Sequence, residues 1–339
     1  MRAFEYVRAA GASEAVHTAK PAAGEPPTLA PAQFLAGGTT LIDLMKLDVM
    51  RPKIVVDINA LDRPFGGISA DGKGLRLGAL TRMAEAAEHP VVRRDYPVIA
   101  QSLQLAASAQ IRNMATLGGN VLQRTRCNYF RDTGWNRCNK RVPGSGCAAL
   151  DGVNRKHAVL GTSAHCIAAY AGDFAQALIA LEAWVDIVGA NGPRTLRFED
   201  LHVVPGSDPR IETTLAPGDL ITGFFVPAAS WTRRSLYLKV RDRESYEFAL
   251  ASAAVALDLA DGRVREARIA LGGVATRPWR ARAAEAALQG RALTEESAAR
   301  AAEAAFAGAV THGQNDYKPE LGRRTLVRAL LAANAIEER

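Results

Sequence analysis

The spacing of apolar positions in residues 33–58 predicts a compact strand–helix–strand unit. The short apolar run QFLA ends in Gly37-Gly38, and LIDLMKL at 41–47 repeats its apolar positions with the period of a helix. KIVVDI at 53–58 is a continuous apolar run with the length of a buried strand. The pattern therefore predicts a β–α–β unit with paired glycines at the turn from strand to helix.

The middle of the chain continues to mix helix and strand patterns. Helices are predicted near 81–88 and 91–107, and a second glycine turn, TLGGNV, is predicted at 116–121. A helix pattern, DFAQALIALEA, starts at Asp173, and the strand pattern WVDIV follows it. ITGFFVP, which ends at Pro227, closes this region. The order of these segments favours a fold in which helices and sheets are combined.

The C-terminal part of the chain predicts a separate α+β unit. It begins with SLYLKV and continues with apolar-rich segments at 251–260 and 264–274. Asp261-Gly262 between them is a favoured hairpin turn. Two or three alanine-rich helices are predicted to finish the chain.

Composition and charge narrow the classes of function. The formal charge is +7, from 42 Lys and Arg against 35 Asp and Glu. These positive residues are scattered apart from one loop, and no helix-turn-helix, zinc-finger or RNP-like motif accompanies them, which argues against a nucleic-acid partner. No run of about 18 apolar residues occurs, so no membrane span is expected. The first residues lack the apolar segment of a secretory signal, so we expect no export signal on this chain.

The glycine turns at 37–40 and 118–120 are candidates for a phosphate site. Backbone N–H groups of such a turn can approach a phosphate because no Cβ intervenes. Taken alone, each turn is more typical of an ordinary tight turn, with Thr39 or Thr40 as a helix N-cap. GSGCAA at 144–149 has the form of a dinucleotide-binding motif, but no strand precedes it, and we exclude it.

The loop RTRCNYFRDTGWNRCNKRVPGSGC at 124–147 concentrates thiols and positive charge. It holds three of the four cysteines and six Arg or Lys residues against one acid, Asp132. With Cys166 included, the spacing is C-x10-C-x8-C-x18-C, which matches no common ferredoxin or zinc-ribbon pattern. From the spacing alone, zinc, an iron–sulfur cluster, two disulfides and reduced structural cysteines all remain open.

Several of these segments together resemble the flavoprotein subunit of the xanthine dehydrogenase family of molybdenum hydroxylases. LAGGTTLIDLMK at 35–46 and ATLGGNV at 115–121 are similar to the two FAD-contact loops of that family. QIRN, DFAQALIALEAWV and LKVRDRESYEFALASAAVAL follow its pattern over nearly the whole chain. The resemblance implies an α+β fold, namely a two-subdomain FAD-binding fold of the vanillyl-alcohol-oxidase (PCMH-like) type with a C-terminal domain of antiparallel sheet and helices.

The resemblance divides the chain into three regions. Residues 1–60 would form an N-terminal βαβ FAD-binding subdomain. Residues 61–228 would form the second FAD-binding subdomain, with an insertion loop at about 122–168. Residues 229–339 would form the C-terminal α+β domain of molybdenum-hydroxylase flavoprotein type.

The resemblance also implies which residues contact FAD. By family position, Asp173 would contact the flavin or its ribityl chain, and the backbone near Ile221 and the side chain of Lys239 would lie near the ring. A helix N-cap role for Asp173 and a solvated strand position for Lys239 are the alternatives. The set implied for the cofactor is Leu35, Ala36, Gly37, Gly38, Thr39, Thr40, Leu41, Ile42, Thr116, Gly118, Gly119, Asn120, Asp173, Ile221 and Lys239.

Within the family, the cysteine loop is similar to that of the periplasmic aldehyde oxidoreductases, whose flavin subunit carries an additional [4Fe–4S] cluster. This implies that four thiolates ligate such a cluster here. Cys166 lies farthest along the chain, and His165 beside it is an alternative ligand, although a surface role is favoured for His165. The implied ligands are Cys127, Cys138, Cys147 and Cys166. The cations expected to offset the cluster's charge are Arg124, Arg126, Arg131, Arg137, Lys140 and Arg141.

The function implied is electron transfer within a heterotrimeric molybdenum enzyme that oxidises aldehydes to carboxylic acids. The partners would be a small [2Fe–2S] subunit, a large subunit with the molybdenum cofactor, and an external electron acceptor that receives electrons from FAD. No catalytic acid or nucleophile is expected on this chain, and His157 is expected to be structural. The alternatives are a flavoprotein subunit of another molybdenum hydroxylase (xanthine, CO or hydroxybenzoyl-CoA type), a free-standing FAD oxidase, or a zinc-stabilised module.

The resemblance implies a periplasmic location, although we expect no export signal on this chain. Export together with a partner that carries the signal would reconcile the two. The alternative is a cytoplasmic location.

Overall fold

A computed structural model describes residues 1–19 and 26–336, which build three sheets flanked by helices. The first sheet has three parallel strands in the order β1-β3-β2. Its strands and helices are β1 (Glu5–Arg8), α1 (Ala12–Thr18), β2 (Ala32–Leu35), α2 (Leu41–Lys46) and β3 (Ile54–Asp57). The strand–helix–strand unit predicted at 33–58 is confirmed. Thr40 takes the N-cap position of α2, but its side chain makes no capping hydrogen bond.

The second sheet has five strands, whose pairs are all antiparallel, in the order β4-β5-β8-β6-β7. Its strands are β4 (Ile68–Asp71), β5 (Gly74–Gly78), β6 (Trp184–Gly189), β7 (Gly192–Arg197) and β8 (Leu220–Pro227). Phe174, Phe198 and Phe224 are fully buried in one core beneath this sheet. The strand predicted from WVDIV is therefore confirmed as β6, and ITGFFVP lies in β8, which pairs with it.

Helices cover this second sheet and connect its strands. They are α3 (Asp62–Phe65), α4 (Met83–Glu88), α5 (Pro90–Asp95), α6 (Pro97–Gln104), α7 (Ala109–Met114), α8 (Leu117–Val121) and α11 (Phe174–Ala180). The segment predicted to be helical near 91–107 forms two helices, α5 and α6, because the chain breaks at Tyr96 between them. A proline disfavours helical geometry in the residue before it, and Tyr96 ahead of Pro97 adopts φ −137° and ψ 53°.

The cysteine loop, at about 122–168, lies between the second glycine turn and α11 and is mostly irregular. It contains only the short helices α9 (Asn128–Arg131) and α10 (Ala148–Asp151). The backbones of Cys138 and Cys147 form an isolated antiparallel β-bridge, and those of Ser163 and Cys166 form another. The loop is therefore fixed by side-chain contacts and local bridges rather than by regular sheet.

The C-terminal region carries the third sheet, antiparallel and ordered β12-β11-β10-β9. Its elements are β9 (Ser235–Val240), β10 (Ala251–Ala260), β11 (Arg263–Gly272), β12 (Trp279–Arg280), α12 (Arg282–Leu288), α13 (Glu295–Ala305) and α14 (Lys318–Asn334). Asp261 and Gly262 both have positive φ, as the predicted hairpin turn requires. β10 is buried on both faces because α14 packs on the sheet from one side and α6 and α11 from the other. Within the described residues, no helix is long and apolar enough to cross a membrane.

Gly322 in α14 offers a test of this packing. A Cβ there would lie 2.1 Å from Cζ of Phe306. Replacing a helical glycine by alanine normally stabilises a helix by roughly 1 kcal/mol. We expect Gly322→Ala instead to lower the free energy of unfolding by about 1–3 kcal/mol, because Phe306 must move. Chemical denaturation would measure the change. Arg328→Ala, at an exposed position of the same helix, should leave stability nearly unchanged, and a stabilised Gly322→Ala would contradict the packing.

Candidate functional site

The two predicted glycine loops line one cavity of about 210 Å³. We call residues 36–40 the first loop and residues 116–120 the second loop. The structure thus brings together two segments that are far apart in the sequence. The predicted cofactor residues that line this cavity are Ala36, Gly37, Gly38, Thr39, Thr40, Leu41, Thr116, Gly118, Gly119 and Ile221.

The backbones on the two sides of this cavity meet at Gly37. A Cβ on Gly37 would stand 2.0 Å from the carbonyl oxygen of Met114, just ahead of the second loop. Glycine is therefore required at position 37 because one backbone lies directly against another. Gly38 next to it adopts φ +73°, which also favours glycine.

Asn59 and Arg82 tie the first loop to the segment before the second. Asn59 Nδ2 donates to the carbonyl oxygen of Ala36 at 3.0 Å and to Asp57 Oδ1 at 2.7 Å. Arg82 donates to Asn59 Oδ1 at 3.3 Å and to the carbonyl oxygen of Met114 at 2.5 Å. Sequence reasoning missed both residues. The only available signal was the position of Asn59 directly after the predicted strand.

The two loops differ in the backbone N–H groups that they offer. In the described part of the chain, no hydrogen bond uses the N–H groups of residues 38–40. In the second loop, the N–H of Gly118 donates to the carbonyl oxygen of Ala79 at 2.8 Å, and that of Gly119 to Thr116 Oγ1 at 3.2 Å. The free donors for an anion, expected from both loops, are therefore concentrated in the first.

Asn120 at the end of the second loop carries a buried amide oxygen with no partner among the described residues. Its Nδ2 contacts Met83 Sδ at 3.4 Å. A buried acceptor without a donor costs free energy, so a ligand that supplies a donor would be favoured here. The free N–H groups of the first loop fit a cofactor with a diphosphate, such as FAD. Leu35, Ile42 and Asn120 are nevertheless not among the residues that line the cavity, and Ile42 is largely exposed.

Asp173 and Lys239 form a buried ion pair away from the residues that line this cavity. Lys239 Nζ donates to Asp173 Oδ2 at 2.8 Å and to the carbonyl oxygen of Leu105 at 3.0 Å. Tyr237 donates to Asp173 Oδ1 at 2.6 Å, and burial together with this carboxylate raises the pKa of Tyr237 well above its ordinary value. Both alternatives from the sequence are wrong, because Asp173 stands at the N-cap of α11 without capping it and the side chain of Lys239 is 1% exposed.

The four cysteines line one small cavity inside the cysteine loop. All are free thiols, so no disulfide joins them. Among residues 1–19 and 26–336, no three His, Cys, Asp or Glu side chains converge closely enough to hold a single metal ion. Burial raises the pKa of Cys127 to about 12 and that of Cys166 to about 11. These two thiols therefore stay protonated at neutral pH unless a metal replaces the protons.

Glu212 links the wall of the 210 Å³ cavity to the cysteine loop. Arg124 Nε and Nη2 both donate to it at 3.1 Å, and Lys140 Nζ donates to it at 2.8 Å. Burial alone would raise the pKa of Glu212, but the two cations outweigh burial and hold it near 2. Arg124 and Glu212 line the larger cavity, and Lys140 lines the cysteine cavity.

The remaining cations of the cysteine loop are also engaged. Arg126 and Arg131 both pair with Asp43 of α2, and Arg137 pairs with Asp151. Arg141 donates to two backbone carbonyl groups of its own loop. Five of the six cations expected to offset a cluster's charge therefore form ion pairs with carboxylates.

His157 contacts a cysteine sulfur, and His165 does not. His157 Nε2 lies 3.2 Å from Cys127 Sγ. Burial, and to a lesser extent the charge of Lys318, lowers the pKa of His157 to about 4, so its ring is neutral at pH 7. His165 is exposed, and only its backbone accepts a hydrogen bond, from Asn139. The histidine next to a cysteine in the sequence is thus not the one that contacts a sulfur.

Comparison with known proteins finds similarity along the whole chain. Residues 2–229 match the family described as the FAD binding domain in molybdopterin dehydrogenase, and residues 236–333 match the CO dehydrogenase flavoprotein C-terminal domain. The chain is 44% identical over 336 residues to the aldehyde oxidoreductase FAD-binding subunit PaoB of Escherichia coli strain K12, covering 99% of each chain.

More distant relatives share the same fold. The chain is 28% identical over 306 residues to the carbon monoxide dehydrogenase medium chain of Hydrogenophaga pseudoflava, which covers 89% of each chain. A solved structure of carbon monoxide dehydrogenase from the same organism aligns with a TM-score of 0.73, at 28% identity, over 98% of this chain and 97% of that one. The similarity therefore spans all three sheets.

Replacing Gly37 tests the contact between the loops. We expect Gly37→Ala to weaken FAD binding roughly tenfold, because the added Cβ pushes the first loop away from Met114. Fluorescence titration of the FAD-free protein would measure the dissociation constant. Gly11→Ala is the control, because nothing lies within 4 Å of a Cβ at Gly11. Equal affinity in both variants would contradict the proposed geometry.

Replacing Glu212 tests the link between the two cavities. We expect Glu212→Gln to lower the free energy of unfolding by about 3 kcal/mol at pH 7, because two cations lose their carboxylate. The pKa of Glu212 is depressed in the folded protein, so its stabilisation is complete above the unfolded pKa of about 4.3. The difference between wild type and variant should therefore shrink as pH falls from about 4.3 toward 2.

Glu320→Gln is the matched control for this experiment, because Glu320 also pairs with two arginines but is exposed. It should change stability by less than about 1 kcal/mol. Denaturant unfolding between pH 7 and pH 3 would measure both variants. A pH-independent loss for Glu212→Gln would contradict the role of its charge.

Proposed function

The chain belongs to the FAD-binding subunits of the molybdenum hydroxylase family of oxidoreductases, and we propose that it is a subunit of an aldehyde oxidoreductase. In this proposal it carries both FAD and a [4Fe–4S] cluster. The family and fold expected from the sequence are confirmed. The observation that carries the aldehyde assignment is the 44% identity to the E. coli aldehyde oxidoreductase subunit over 99% of both chains. Identity to the carbon monoxide dehydrogenase medium chain is only 28%.

FAD binding follows from the family, and the cavity between the two loops suits it. The free N–H groups of residues 38–40 would bind the diphosphate. Leu41 and Ile221 would offer apolar surface to the rest of the cofactor. FAD supplies the redox chemistry when bound, and the chain orients it and excludes water.

The number of thiols in the cysteine cavity supports a [4Fe–4S] cluster. Such a cubane takes one thiolate at each of four irons. Four free thiols line this one cavity.

The remaining parts of the proposal concern the complex. A large molybdenum subunit would oxidise the aldehyde, and a small [2Fe–2S] subunit would deliver electrons to this chain. The relatives support such partners, since those named above are a subunit or medium chain of an oxidoreductase. An external acceptor would then take the electrons from this chain. A periplasmic location, reached by export with a signal-bearing partner, stays a prediction.

Iron analysis of the purified complex tests the cluster. We expect Cys138→Ser to lose about four irons per copy of this chain while FAD is retained, because the cluster loses one ligand. Iron and flavin would be quantified in the anaerobically purified complex. Val142→Ser, at an exposed position in the same loop, should retain the wild-type iron content. Equal iron in wild type and Cys138→Ser would exclude the cluster.

Aldehyde addition distinguishes the proposal from a free-standing flavin oxidase. The flavin absorbance should bleach in the anaerobic complex and stay unchanged in the isolated chain, because the oxidising site would lie on a partner. Bleaching in the isolated chain would instead support the oxidase.

A further inference from the structure

In the part of the chain that the structure describes, only one of the four cysteine sulfurs has a side-chain nitrogen as a hydrogen-bonding partner. His157 Nε2 lies 3.2 Å from Cys127 Sγ, which is within hydrogen-bonding distance for a sulfur acceptor. Cys166 Sγ has a backbone partner instead, the N–H of Ala168 at 3.5 Å. The environment of the four thiols is therefore asymmetric, because only Cys127 has an imidazole beside its sulfur in the described part of the chain.

The direction of the hydrogen bond follows from the chemistry of the sulfur. A thiolate that ligates iron has no proton, so the ring nitrogen that faces it must carry one. Nδ1 of His157 is buried and has no acceptor among the described residues, which matches a neutral ring with its proton on Nε2. Nothing has to titrate for this bond to form.

The ring is held in place by the C-terminal region. The backbone N–H of His157 donates to the carbonyl oxygen of Asn154 at 2.9 Å. Asn154 Nδ2 donates in turn to the carbonyl oxygen of His312 at 2.6 Å. Lys318 at the start of α14 donates to the carbonyl oxygens of Lys156 and Gly273 from a fully buried position. The backbone that carries His157 is therefore fixed by a separate part of the fold.

The ring also lies beside open space. Cys127 and His157 both line a cavity of about 470 Å³ that includes Arg126, Arg155 and Lys156. A sulfur next to such a cavity would otherwise be reached by water. His157 is itself buried, with 6% of its surface exposed, and so replaces that water with one fixed donor.

We propose that His157 is a positioning residue that donates a hydrogen bond from Nε2 to the Cys127 thiolate and thereby raises the reduction potential of the cluster. A hydrogen bond to a ligating sulfur stabilises the more negative, reduced form. This inference rests on the proposed function, because it requires the [4Fe–4S] cluster.

A redox titration followed by electron paramagnetic resonance of the reduced cluster tests the inference in the intact complex. We expect His157→Leu to shift the one-electron equilibrium roughly tenfold toward the oxidised form, which corresponds to about 59 mV. His157→Gln keeps an amide donor and should recover part of the shift. His17→Leu, at an exposed position of α1, should match wild type. Iron and flavin contents are measured in every variant.

A second measurement uses the wild-type complex alone and does not depend on a variant that folds. With 15N-labelled histidine, pulsed electron paramagnetic resonance of the reduced cluster should show a weak hyperfine coupling to one ring nitrogen of histidine. Absence of that coupling overturns the inference, as does an unchanged potential in iron-loaded His157→Leu. Wild-type complex without the additional iron would instead overturn the proposed function, so the two failures are distinguishable.

Discussion

Glu212 accepts hydrogen bonds from Arg124 and Lys140 and so links the wall of the cofactor cavity to the cysteine cavity. Arg124 also lies over the ring of Phe130, which packs against Cys138. One carboxylate therefore fixes the start of the cysteine loop, its middle and the wall of the cofactor cavity. Two buried cations without it would be strongly unfavourable, so this interaction determines how the inserted loop sits on the FAD-binding domain.

The two glycine loops have different roles at the cofactor site. The first loop keeps the N–H groups of residues 38–40 free, while the second uses N–H groups to hold α8 against residues 79–81, which follow β5. The contact at Gly37 and the hydrogen bonds through Asn59 and Arg82 set the distance between them. The cofactor cavity is thus a consequence of backbone packing in the protein, and its donors lie mainly on one side.

The C-terminal domain supports the cysteine loop as well as its own core. Lys318 and Asn315 of this domain donate to backbone carbonyls of residues 156 and 158, and burial lowers the pKa of Lys318 to about 7. A buried lysine with only carbonyl partners is costly, and its position fixes the chain on both sides of His157. A domain that contributes no cysteine therefore orients the side chain beside Cys127.

Sequence patterns were enough to predict the strand–helix–strand unit, the hairpin at Asp261-Gly262, the two glycine loops and the family, because these depend on local periodicity and on short motifs. The sequence did not show the break between α5 and α6 before Pro97 or the carboxylate partners of the loop's cations. Only the tertiary structure decided that Arg124 and Lys140 share Glu212, that Asp173 pairs with Lys239, and that His157 rather than His165 contacts a sulfur. These contacts join residues 30 to 88 positions apart, and local patterns carry no information on partners at such separations.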